Sequence, residues 1–144
     1  MNILEIISKI ILLLFLGGAA ILDFRKRELP VIYIGIGFCI GLILRLVIGE
    51  PTVLELLLGS LVGAVFLLVS RLSREAIGYG DSLMIIATGA SLGIIDNVLL
   101  MLCALLLAAL FSIGLLILKK YKRKDEIPFL PFLLGGYVIL LAAI

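Results

Sequence analysis

The sequence predicts an all-α integral membrane protein, a bundle of six transmembrane helices with short loops and both termini outside. Three observations predict it. Hydrophobic residues make up 64% of the 144-residue chain, mean hydropathy is +1.38 and only 15% of residues are charged; soluble domains do not have that composition. The apolar residues fall into six blocks. The charges cluster between the blocks: all but Lys9 and Arg45 of the 12 Lys and Arg residues fall in three connections.

A helix needs about 20 apolar residues to cross the hydrocarbon core. The first block, 3–22, lacks a basic start and a small-residue cleavage site, and its basic residues follow the apolar run, so it reads as a mature span and not a signal peptide. Blocks 30–48 and 53–70 come next. The fourth, 82–95, is short and carries Thr88, Gly89, Ser91 and Gly93; such a span is tolerable when other helices surround it. Blocks 98–118 and 128–144 complete the set. Gly37 and Gly41, Gly59 and Gly63, and Gly89 and Gly93 stand four apart on spans two, three and four, spacing that lets helix backbones approach closely. With no internal repeat, low-complexity tract or linker in view, residues 1–144 read as one domain.

Loop 23–29 carries Arg25, Lys26 and Arg27; loop 71–81 carries Arg71 and Arg74; loop 119–127 carries Lys119, Lys120, Lys122, Arg123 and Lys124. The opposite turns, 49–52 and 96–97, carry no basic residue. The positive-inside rule places the three basic loops in the cytoplasm, where they meet anionic lipid headgroups. This alternation requires the short fourth block to cross.

The chain has no His, and Cys39 and Cys103 stand alone in apolar runs. That pattern predicts no zinc or iron–sulfur site, no metal and no other cofactor, and both cysteines read as small buried side chains. The expected partner is the lipid bilayer, with no nucleic acid.

Two carboxylates stand out. Asp23 closes span one and Asp81 opens span four, both at the predicted cytoplasmic edge, and acids so close to lipid are costly and functional by default. Two nearby carboxyls share a proton because they cannot both ionise cheaply. One then takes a proton from water while the other donates to a carbonyl oxygen, which suits peptide hydrolysis. Gly78, Tyr79 and Gly80 precede Asp81 and read as a substrate-facing loop; the plainer reading is a flexible turn with Asp81 as helix N-cap. Among the other acids, Glu50 and Asp96 read as solvated on the opposite side, and Glu28, Glu75, Asp125 and Glu126 as loop charges.

The motif Gly78-Tyr79-Gly80-Asp81 resembles the signature of the type IV prepilin peptidases, membrane aspartyl proteases of the GxGD class. Asp23 followed by basic residues and Leu29-Pro30 is similar to that family's first-aspartate motif. Gly89 and Gly93 continue the likeness, and Pro128, Phe129 and Pro131, with Gly135 beyond, are similar to its last-helix motif. The resemblance implies a hydrolase that cuts the short basic leader from prepilins on the cytoplasmic side of the cell membrane, with Asp23 and Asp81 as the catalytic pair. Glu28, Glu75 and Glu126 would suit such a leader. The small size resembles the short peptidases of Tad/Flp pilus systems and implies cleavage without methyl transfer. Leu83 and Val31 stand where relatives often carry lysine and asparagine. Two other readings compete: a proton- or cation-coupled transporter, which would hold its acids near mid-membrane, and a non-catalytic pilus or secretion assembly factor.

Overall fold

The computed structural model of the chain describes residues 3–26, 28–49, 52–72, 78–118 and 127–143. Among them are six helices and no strand: α1 (Ile3–Lys26), α2 (Val31–Ile48), α3 (Val53–Leu72), α4 (Tyr79–Leu92), α5 (Ile94–Ile117) and α6 (Leu130–Ala143). Each answers to one predicted apolar block. Arg27, Arg74, Lys119, Lys120, Lys122, Arg123 and Lys124 lie outside the described residues, as do Glu50, Glu75, Asp125 and Glu126.

The chain is a multi-pass membrane protein. Four helices, α1, α2, α3 and α5, are long and apolar enough to cross a membrane. The surface is oily: Ile3, Ile32, Leu72 and Ile117 are each about three-quarters exposed, while Ser70, Ser82, Thr88 and Asn97 are buried. Such inversion fits a lipid solvent, where outward apolar side chains cost nothing and inward polar groups must bond to each other. It also corrects the reading of the cysteines. Cys39 is exposed and Cys103 only partly buried, because an apolar side chain here has no need of the interior.

Helix α4 forms the centre. It packs most extensively on α3 and also on α2 and α5, while α1 packs on α2 and α6, and α6 on α5. Nine of its 14 residues are buried. Glycines set the contact of α3 with α4: a Cβ on Gly89 would meet the Gly59 carbonyl carbon at 2.3 Å, and one on Gly63 the Ile86 nitrogen at 2.3 Å. The backbones of the two helices therefore touch.

The turn after α4 differs from the expected one at 96–97. It lies at Gly93, whose φ of 81° suits glycine, and residues 91–93 are buried. Gly93 packs on Gly59, six residues into α3, or about 9 Å along its axis. The α4–α5 turn thus stops short of the bundle end that holds the 48–53 connection. Its polar groups are met by protein. Arg45 of α2 donates to the Ser91 carbonyl, serving an open helix C-terminus with a cation. Asn97 donates to the Gly59 and Ile85 carbonyls and accepts from Thr88 at 2.7 Å. Asp96, expected in a solvated turn, is half-buried in the first turn of α5.

Candidate active site

At the opposite end of the bundle, the 26–31 connection, the start of α4 and the start of α6 surround a cavity of about 850 Å³. Asp23, Glu28, Gly78, Tyr79, Gly80 and Asp81 line it, and among the described residues no Lys or Arg does. Deeper along the helices its wall is apolar, with Ile34, Phe66, Ile85, Met101 and Leu105. Ile127, Pro128 and Phe129 close a third side, and the variant positions Val31 and Leu83 also face in. The described lining thus joins carboxylates at the mouth to an oily interior.

The geometry of α4 sets Asp81. Gly78 is the N-cap, without a side-chain cap bond, so Asp81 does not cap the helix. It sits in the first turn, where the helix dipole favours an acid. Tyr79 and Gly80 are also helical, which leaves only Gly78 of the described motif outside the helix. A Cβ at Gly78 would stand 2.6 Å from Asp81 Oδ2, so glycine there leaves the Asp81 carboxylate in place. Asp81 precedes the apolar stretch 82–95. Burial, and then the nearby Asp23 carboxylate, push its carboxyl from 3.8 up to about 7.

Asp23 comes from the last turns of α1 and is half-buried. Its Oδ2 accepts the backbone N–H of Leu130 at 3.1 Å. Leu130 is the first residue of α6, and Pro131, the second, has no N–H to give. The next donors, Phe132 and Leu133, already bond to the Phe129 carbonyl. Asp23 thus takes the one open N–H at the start of a helix more than a hundred residues away. Sequence reading missed Leu130; the signal available was a helix start with proline as its second residue.

The structure therefore brings Asp23, Asp81, Gly78, Tyr79, Gly80, Pro128 and Phe129 to one cavity. Pro131 lies beside it in the first turn of α6, outside the lining. Among the described residues no group of three or more Cys, Asp or Glu is arranged to hold a metal ion.

Residues 10–117 match the model of the type IV leader peptidase family. That stretch holds both aspartates and stops before α6. Over 69 residues the chain is 38% identical to a prepilin leader peptidase/N-methyltransferase of Aeromonas salmonicida and 36% identical to one of Aeromonas hydrophila. Each match covers 47% of this chain and 24% of the relative. No solved structure matches.

Proposed function

The chain belongs to the type IV leader peptidase family, and we propose that it is an aspartyl endopeptidase of the cell membrane that removes the leader from prepilin-like proteins. The observation that carries this reading is the single cavity lined by Asp23 and Asp81. We propose further that residues 1–144 act as one domain, that all six helices cross, and that the dyad end faces the cytoplasm with both termini outside.

In the proposed reaction a water lies between the two carboxyls. The ionised one takes a proton from it as the oxygen adds to the scissile carbonyl carbon. The protonated one gives its proton to the carbonyl oxygen. Return of a proton to the peptide nitrogen lets the C–N bond break and releases an acid and an amine. The pair holds one proton between them up to about pH 7, set by the raised Asp81 carboxyl, and it titrates as a unit. Glu28, which lines the same cavity as the dyad, suits a basic leader, and the apolar wall suits the hydrophobic segment that follows. A transporter would hold its acids near mid-membrane; these lie at one end of the bundle.

The test is co-expression with a prepilin-like protein and mass analysis of the N-terminus. The wild type releases the leader, and cleavage falls off above about pH 7 as the pair loses its shared proton. Asp23→Asn and Asp81→Asn should each reduce cleavage by at least about 10³-fold while still inserting. Normal cleavage by either variant rejects the dyad.

A further inference from the structure

We propose that the first turn of α6 is a positioning element for the dyad, in which the Leu130 N–H holds the Asp23 carboxylate in the orientation that faces Asp81. The inference rests on the peptidase reading and adds to it a role for a backbone group beyond the stretch matched by the family model.

The geometry carries it. α1 and α4, which bear the two aspartates, are joined mainly through α2, α5 and α6, so the space between the carboxyls is set by a third party. α6 is that party at the cavity: its start reaches Asp23, and Pro128 and Phe129 form part of the cavity wall. The donor is well fixed. Leu130 is fully buried in the core with Leu133 and Tyr137. Phe129 supplies the carbonyl that starts the helix, and Pro131 constrains the backbone on the other side. A carboxylate bonded to such a donor has lost freedom to rotate, which is what a water-activating group needs.

A backbone N–H is rarely open to mutation, but this one is. The first position of a helix is where proline is best tolerated, and the residue before it is an N-cap, which ordinarily has extended dihedrals compatible with a following proline. Leu130→Pro removes the N–H and the leucine side chain; Leu130→Ala removes the side chain and keeps the N–H. Both would be made in the full chain, purified in detergent and assayed on a synthetic prepilin segment. We expect kcat for Leu130→Pro to be about 10- to 100-fold below that of Leu130→Ala, with KM within a few-fold. The acidic limb of the pH–rate profile should move to higher pH, because the ionised dyad has lost a donor. Among the described residues, the titratable groups lining the cavity with Asp23 are Asp81, Glu28 and Tyr79.

A second comparison needs no change at Leu130. Asparagine at position 23 still offers an oxygen to the N–H and alanine does not, so Asp23→Ala should melt about 3–6 °C below Asp23→Asn. Equal kcat and equal pH limbs in the two Leu130 variants, or equal melting of the two Asp23 variants, overturn the positioning role and leave the dyad standing. Retained cleavage by Asp23→Asn overturns the dyad itself, and the positioning role with it.

Discussion

At the scale of single residues, the role proposed for Asp81 has a counterpart in stability. Its carboxyl is raised from 3.8 to about 7, first by burial and then by Asp23. Folding therefore favours the protonated form. The resulting stabilisation is complete below about pH 4 and is lost as pH rises through about 7. Thermal melting followed by helical circular dichroism should show the wild type losing stability across that window. Asp81→Asn, which cannot ionise, should melt at nearly constant temperature across it and above the wild type at pH 8. Gly78 tests the same carboxyl from the side. A Cβ at Gly78 meets only the end of the Asp81 side chain, and Gly78 is exposed. Gly78→Ala should thus change stability by less than about 0.5 kcal/mol, yet lower kcat about 10- to 100-fold by displacing the carboxylate. Unchanged kcat would mean that Asp81 is free to shift without consequence.

At the scale of elements, the contact between α3 and α4 is the tightest in the bundle. Atoms facing Gly89 belong to the backbone of Gly59 and Ser60 and cannot rotate away. Gly89→Ala should destabilise by about 1–3 kcal/mol or more through forced separation of the helices. Gly17 is the control, because a methyl group added there would have nothing within 4 Å. Gly17→Ala should be neutral or stabilising by about 0.5–1 kcal/mol. Equal melting shifts in the two variants would refute the close contact. The pairs 59/63 and 89/93 were legible in the sequence as candidate contact sites. That Gly59 meets Gly89 and Gly93 while Gly63 meets Ile85 and Ile86 was not, because spacing marks a surface without naming its partner. The polar residues of the fourth block have a similar history. Thr88 and Ser91 mark it as unusual for a span, and the structure supplies the reason: α4 and the turn at Gly93 are enclosed, Arg45 bonds to the Ser91 carbonyl at the end of α4, and Asn97 bonds to carbonyls of α3 and α4. The cysteines were misread because burial was judged as for a protein in water.

At the scale of the whole molecule, the proposed reaction requires the dyad end of the bundle to face the cytoplasm. In a cysteine-free background, Glu28→Cys and Thr52→Cys place exposed thiols at opposite ends of the bundle. A membrane-impermeant maleimide should label position 52 in intact cells and position 28 only after the membrane is opened. Labelling of both from one side would contradict the proposed topology. Hydropathy and charge clustering were enough to determine a helical membrane protein with six apolar elements, because lipid imposes its pattern directly on composition, and the two aspartate motifs pointed to the family. Only the tertiary structure decided where α4 ends, which glycines touch, and that the start of α6 grips Asp23. Those depend on contacts between segments far apart in the chain, and a hydrogen bond from a backbone N–H leaves almost no trace in side-chain identity.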